Sequence, residues 1–304
     1  MTSKPYKSRT ESRELQELRI LNKRMNLSEK EKQYYLGLEK GYKGEKLFDT
    51  FTVKLECDCL IVNDLLLQAN NTTFQIDSLI ILSEAVYLFE VKNFDGDYYM
   101  ESDRFYKKPK VEYNNPLHQL ERSESLLRQL LDNLGYNSAI EGNVVFINPE
   151  FTLYQAPLNK PLIFPTQVKR YLKNLDKSPS KLNRKHKLLA DKLISLHMAN
   201  PPYSQVPDYK FSRLRKGVTC ARCNSFSILC ERDRCICQAC GYEELVTSAV
   251  MRSVNDFRTL FPDEKITTNI IYEWSNAIVS KRRIRYILGE NLNIIGVRQW
   301  AYYE

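Results

Sequence analysis

Six of the chain's eight cysteines fall between Cys220 and Cys240, and four of them stand as two pairs, Cys220-x2-Cys223 and Cys237-x2-Cys240. The residues between the pairs, 224–236, can form a short hairpin that brings two thiolate-bearing turns together. Four thiolates in a tetrahedron favour Zn2+, and a segment too small to build its own core gains folding free energy from the metal. The spacing is that of a zinc ribbon, and with no coordination position left open the zinc is expected to be structural. Gly241, directly after Cys240, suits the positive φ that a knuckle turn often needs. Cys230 and Cys235 blur the register, because Cys235-x-Cys237 could supply a ligand instead of Cys240. Cys57 and Cys59 read as small core residues.

The remaining composition says what surrounds that ribbon. At 304 residues, 43% hydrophobic and 27% charged, the chain reads as a folded protein with room for two domains. Its apolar runs, such as Leu79 to Leu82, stop far short of the ~18 residues of a membrane span. The start, Met1 to Arg9, is polar and basic with no apolar stretch behind it, so the expected compartment is the cytoplasm, with no membrane partner and no disulfide scaffold. The net charge of +8 is unevenly placed. Residues 1–167 hold 21 basic and 24 acidic groups, residues 168–192 hold 9 and 2, and residues 203–304 hold 15 and 11. Such asymmetry fits a polyanion partner, nucleic acid first.

Along the chain, an interleaved charged helix carrying Leu15, Leu18 and Leu21 breaks near Asn26. Ser28 with Glu31 forms a capping box for a second helix expected to end at Gly41. A third is expected after Gly44, with Glu45 in its first turn and Leu47, Phe48 and Phe51 as its apolar stripe. The period then changes to two. Leu60 to Leu67 reads as a strand, Asn70 and Asn71 as a turn, and Thr73 to Leu82 with Val86 to Lys92 as two further strands. Asn115 and Pro116 are an N-cap and first-position pair for a helix closed by Gly135, before a strand from Asn143 to Ile147 that pairs after a crossover. Residues 149–165, with four prolines, read as irregular, and two basic helices are expected between Thr166 and Ala199. Asn200, Pro201 and Pro202 mark a boundary.

Chemistry enters at the end of the strand Val86 to Lys92. Period-two alternation puts Glu90 and Lys92 on the face of Val86 and Leu88, where buried charges are costly unless paired or bound to a metal. A short hairpin brings Asp77 near Glu90. Two carboxylates and a lysine in one pocket are what metal-dependent phosphodiester hydrolysis requires, and an all-oxygen site that keeps its waters suits Mg2+, or Mn2+ in its place.

These residues resemble the nuclease-related domain, a branch of the PD-(D/E)xK nuclease superfamily. The matching pieces are Gly41-Tyr42-Lys43-Gly44-Glu45, Gln75-Ile76-Asp77, Glu90-Val91-Lys92 with Asn93 and Gly96 after it, and Asn115-Pro116 with Gln119. They come in the family's order over roughly residues 38–150. The superfamily's proline before the first aspartate is Ile76 here. The resemblance implies an α/β, restriction-endonuclease-like mixed sheet flanked by helices. It also implies that Asp77 and Glu90 bind the metal with help from the Val91 carbonyl, that Lys92 serves the attacking water, and that Glu45 and Gln119 approach in support.

In the C-terminal region, Ser280 caps a helix reading Lys281-Arg282-Arg283-Ile284-Arg285, preceded by a short helix around Trp274. That geometry suits a helix-turn-helix, with Lys281, Arg282 and Arg285 meeting DNA. The chain thus divides into N-terminal helices (1–37), a nuclease-related domain (38–165), a basic helical connector (166–202), a zinc ribbon (203–246) and a helical DNA-binding region (247–304). The expected function is Mg2+-dependent cleavage of DNA, and cutting both strands of a duplex would be easiest for a homodimer. A catalytically silent DNA-binding protein of the same fold, and a ribbon that serves as an interaction adaptor, stand as the alternatives.

Overall fold

In chain order, the elements begin with helices α1 (Arg13–Arg24) and α2 (Glu29–Thr52), then strands β1 (Leu60–Ala69), β2 (Thr72–Ile81), β3 (Ala85–Lys92), β4 (Gly96–Glu101), β5 (Arg104–Lys107) and β6 (Val111–Tyr113). Helix α3 (Pro116–Asn133), strands β7 (Ala139–Phe146), β8 (Phe151–Tyr154) and β9 (Leu162–Ile163), and helices α4 (Val168–Leu175) and α5 (Arg184–Ser195) follow. Next come β10 (Ile228–Glu231), β11 (Arg234–Cys237), β12 (Glu243–Leu245), α6 (Val246–Leu260), α7 (Thr268–Trp274), α8 (Lys281–Asn291), β13 (Ile294–Ile295) and β14 (Tyr302–Tyr303). This computed structural model describes residues 5–199, 204–297 and 300–304. The expected boundary at Asn200 to Pro202 and the first four residues lie outside the described residues. Two compact units emerge, one holding residues 1–11 and 36–203, the other residues 12–35 and 204–304.

The first unit is built on a five-stranded mixed sheet in the order β1-β2-β3-β7-β9, flanked by helices as the resemblance implied. Strands β1, β2 and β3 are antiparallel neighbours, with Asn70 and Asn71 both left-handed in the two-residue turn that joins the first two. After α3 crosses over, β7 runs parallel to β3, with Glu90 opposite Val144 and Lys92 opposite Phe146. The α3 cap forms as its sequence dictates: the Asn115 side chain accepts the Leu117 N–H at 3.0 Å. One face of the sheet packs Leu79, Val86 and Leu88 against Leu120 and Leu127 of α3 and Leu189 and Leu193 of α5. The other packs Ile80, Phe89 and Val91 against Phe48 of α2 and Val168 and Leu172 of α4. Both faces are therefore buried, and the two basic helices of residues 166–199 supply apolar stripes to this core.

Three features depart from the sequence reading. First, α2 is one helix through Gly41 and Gly44 rather than two. A Cβ at Gly44 would lie 2.4 Å from that of Asn93, and Asn93 Nδ2 donates to the Lys40 carbonyl at 2.7 Å. Glycine here permits helix and loop to touch, and that contact outweighs its helix-breaking tendency of ~1 kcal/mol.

Second, strict alternation along β2 fails. Phe74 and Ile76 share a core with Leu79 and Ile81, while on β1 Leu60 and Val62 share it with Leu65 and Leu67. Both strands change face where Asp64, at φ 55°, sits opposite Asp77 between the pairs Asn63–Ser78 and Leu65–Ile76. A left-handed residue turns the pleat over.

Third, residues 149–165 are not wholly irregular. Strand β8 joins β4, β5 and β6 in a second sheet of order β6-β5-β4-β8, and β9 extends the first. A cluster of Phe94, Tyr98, Phe105, Phe146 and Phe151 fills in behind the second sheet.

In the second unit a three-stranded ribbon, β10-β11-β12, leads into α6, and α7 and α8 pack on it. Trp274 is fully buried and its Nε1 donates to the Ser253 carbonyl at 2.9 Å. The Arg24 guanidinium lies 3.9 Å from a Trp274 ring centroid and donates to the carbonyls of Arg215 and Gly217 and to Asp256. Burial pulls its pKa below the ordinary guanidinium value despite that carboxylate. Asn276 and Ala277, between α7 and α8, both stand at φ 54°, so the turn of the expected helix-turn-helix uses two left-handed residues without a glycine.

Candidate active site and metal centre

The β2–β3 pairing ends with Ser78 opposite Phe89, which leaves Asp77 and Glu90 beside one another at the mouth of the sheet. Asp77 Oδ2 accepts the Val91 N–H at 2.7 Å. In a strand the N–H and C=O of one residue point to the same side, so the Val91 carbonyl faces that same gap. Lys92 Nζ donates to Glu90 Oε1 at 2.7 Å and to Gln119 Oε1 of α3 at 2.8 Å. Glu45 arrives from the interior of α2, more than four turns past its start at Glu29, and not from the first turn of a separate helix as expected. The structure thus gathers Glu45, Asp77, Glu90, Lys92 and Gln119 at one end of the first unit's sheet.

The residue that sequence reasoning missed is Arg9. The segment before α1 runs alongside β1, with the Lys7 N–H donating to Ile61 and the Lys7 carbonyl accepting from Asn63. This carries Arg9 inward until its side chain is 3% exposed. Its guanidinium forks onto Asp49 at 2.9 and 3.0 Å, reaches Glu45 Oε2 at 2.6 Å, and donates to the Asp77 carbonyl at 2.8 Å. Nothing local marks it, since its partners lie 36 to 68 residues away. A planar fork of five donors is the side chain that can serve three acceptors at once.

The electrostatics follow from this count. Glu45, Asp49, Asp77 and Glu90 face Arg9 and Lys92, so full ionisation leaves two negative charges uncompensated. Burial, then the charge of Asp77, pushes the Glu45 carboxyl up to about 8 against the pull of Arg9. The same two causes, opposed by Lys92 and Gln119, push Glu90 up to about 7. Asp77 is raised by burial, against the pull of Lys92 and the Val91 N–H. A divalent cation would balance the charge deficit and return these groups to their ionised form.

The second unit holds a different cluster. The Sγ atoms of Cys220, Cys223, Cys237 and Cys240 all lie within 4.8 Å of one another, with Cys220–Cys240 at 3.7 Å and Cys223–Cys237 at 3.6 Å. These separations suit a tetrahedron with bonds of about 2.3 Å to zinc. Gly241 takes φ 70° in the second knuckle, as its position suggested, and Asn224 takes φ 60° in the first. Burial opposes ionisation of Cys237, but the N–H groups of Ala239 and Cys240 and the neighbouring thiols outweigh it and bring that thiol down to about 7. Cys240 therefore completes the set and Cys235 does not: Cys235 pairs with Cys230 across the β10–β11 hairpin in a disulfide, against the expectation of none. Among the described residues this cysteine cluster is the one group of three or more ligand side chains gathered so tightly. The carboxylates of the first unit are spread around Arg9 and Lys92.

Lys281, Arg282 and Arg285 lie exposed along one side of α8, while Ile284, Ile287 and Leu288 face the core. The Ser280 hydroxyl accepts the Arg283 N–H at the helix start, the cap that the sequence called for. Among the described residues no helix is long and apolar enough to cross a membrane. Comparison with curated proteins and with solved structures gives no match. A family model does match: residues 40–147, the stretch that carries Glu45, Asp77, Glu90, Lys92 and Gln119, are similar to the nuclease-related domain, and this part of the chain has a nuclease-like fold.

Proposed function

We propose that the protein is a metal-dependent nuclease that hydrolyses phosphodiester bonds, with DNA as its substrate. The observation that carries this reading is the buried surplus of carboxylate at the end of β2 and β3, beside a lysine whose ammonium is already oriented. Asp77, Glu90 and the Val91 carbonyl are the groups that would hold Mg2+ or Mn2+, and Glu45 stands behind them. Bound there, the ion supplies Lewis acidity towards a phosphate oxygen and lowers the pKa of a water.

The chain's own groups do the positioning. Two of the three Lys92 N–H donors are taken by Glu90 and Gln119, which fixes the ammonium and leaves the third for the attacking water or the phosphate. Arg9 anchors Glu45 and the Asp77 backbone, so the carboxylates keep their places before any substrate arrives. In the second unit the cysteine cluster holds a structural zinc, and α8 offers Lys281, Arg282 and Arg285 to DNA phosphates.

The test is cleavage of single-stranded, duplex and branched DNA with Mg2+ or Mn2+. Wild type should cut, while EDTA, Asp77→Ala and Lys92→Ala should each abolish cutting. Equal activity of wild type and both variants on every substrate would dispose of the proposal. For the second unit, charge reversal at Lys281, Arg282 and Arg285 should weaken DNA binding and flatten its salt dependence.

A further inference from the structure

Beside Gln119, a cleft of about 470 Å3 opens between the start of β2 and the first two turns of α3. This is within the ~300–1,000 Å3 of ordinary ligand sites. Thr73 and Gln75 line it from β2, and Asn114, His118, Gln119 and Arg122 from α3 and the residues before it. Its wall contains no carboxylate, in contrast to the acidic pocket on the other side of Gln119. The His118 ring is held by Asp103 at 2.8 Å. Among the described residues no hydrogen bond or ion pair engages the Arg122 guanidinium, which is exposed at the rim, nor the Asn114 amide. The remaining lining groups are amides, two hydroxyls and the Phe74 ring, none of them charged.

We infer that this cleft seats the nucleotide next to the scissile phosphate, with Arg122 on that nucleotide's own phosphate and the amides of Asn114 and Gln75 on its base edge. Gln119 belongs to both the acidic pocket and the cleft. Its Oε1 fixes Lys92 in the acidic pocket while the residue also lines the cleft, so a strand lying in the cleft places its adjacent phosphodiester against Lys92. Guanidinium to phosphate and amide to base edge are the pairings each group is suited for. A cleft free of carboxylates beside a pocket full of them also sorts the substrate: one phosphate pairs with Arg122 in the cleft, and the one to be cut sits against the carboxylates only when a cation neutralises them.

The inference rests on the nuclease reading for its purpose but can be tested apart from it. A fluorescein-labelled thymidine pentanucleotide and its uridine counterpart, titrated with the full chain in EDTA, report binding without turnover. The titrations use a background with Lys281, Arg282 and Arg285 all changed to Glu, which silences the second unit's basic helix. Arg122→Ala should weaken binding about tenfold and lower the salt slope by about one, and Arg122→Glu should weaken it further. Asn114→Ala should weaken it a few-fold with the slope unchanged. Both residues are at the surface, and an unchanged melting temperature verifies the fold of each variant. With metal, Arg122→Ala should raise KM and leave kcat near wild type. Binding or KM unchanged in Arg122→Glu overturns the cleft, even if Asp77→Ala abolishes cutting. Arg122-dependent binding in a protein that never cuts DNA or RNA upholds the cleft and removes the nuclease reading instead.

Discussion

The two units each gather acidic side chains around a space fit for a cation, but they do so in opposite ways. The four thiols of the second unit are packed within one coordination sphere, with backbone N–H groups turned toward the sulfurs. The carboxylates of the first are looser, each leaning on a cation or an N–H. A closed set of soft ligands is complete by itself and stabilises a small fold. An open set of hard oxygen groups, with Arg9 and Lys92 standing in for part of the missing positive charge, leaves room for water.

That contrast can be broken most forcefully at the sulfurs. Stripping zinc with a strong chelator, or replacing Cys223 by Ser, should cost the ribbon its fold, since structural zinc sites contribute on the order of 10 kcal/mol of binding free energy. Loss of the ribbon's cooperative melting is the readout, and a ribbon that melts unchanged without metal would overturn the assignment. At the carboxylates a single change should leave the fold standing while removing turnover: Lys92→Ala should lower the rate by about a thousandfold or more with a melting temperature close to wild type.

Next in size comes the pair of buried arginines. Arg24→Ala leaves the Asp256 carboxylate and two carbonyls without their donor and should destabilise the second unit by about 3 kcal/mol, measured by urea titration. Arg9→Ala removes a donor from Glu45, Asp49 and the Asp77 backbone, and in metal-free protein it should raise the Glu45 pKa further, seen by carboxyl 13C chemical shifts.

A smaller effect is the pH dependence of the metal-free first unit. In the folded state Glu45 keeps its proton up to about 8, whereas an unfolded glutamate loses it near 4.5, so the native form binds more protons between those values. Stability should therefore fall as pH rises through that window. Wild type should lose more melting temperature across it than Glu45→Gln does, and divalent cation should cancel the difference. Identical pH profiles for the two proteins would contradict the raised carboxyl. The smallest change expected is at the α7–α8 turn, where Ala277→Gly relieves a left-handed alanine and should add about 1 kcal/mol.

Much of this was legible in the sequence where the signal is local. The Asn115 cap, the Asn70-Asn71 turn, the Ser28–Glu31 box and the paired cysteines each depend on residues a few positions apart, and each stands as read. The strand alternation also placed Glu90 and Lys92 on one face, which the hydrogen bond between them bears out. What was not legible depends on contacts across the fold. Gly41 and Gly44 looked like a break between two helices because the partner that makes Gly44 fit, Asn93, is far away in sequence. The pleat reversal needs Asp64 and Asp77 together, and neither carries a pattern of its own. The disulfide of Cys230 and Cys235 follows from a hairpin register that spacing alone leaves open.

The short stretch running beside β1 has a practical consequence for anyone trimming this protein. The family match begins at residue 40, yet the guanidinium that restrains Glu45 enters from position 9, and part of the covering of the sheet comes from α4 and α5, after residue 147. A fragment cut to the homology limits would carry Glu45, Asp49, Asp77 and Glu90 but lack their internal counter-ion and two of its roof helices, so silence from such a fragment would say nothing about the intact chain.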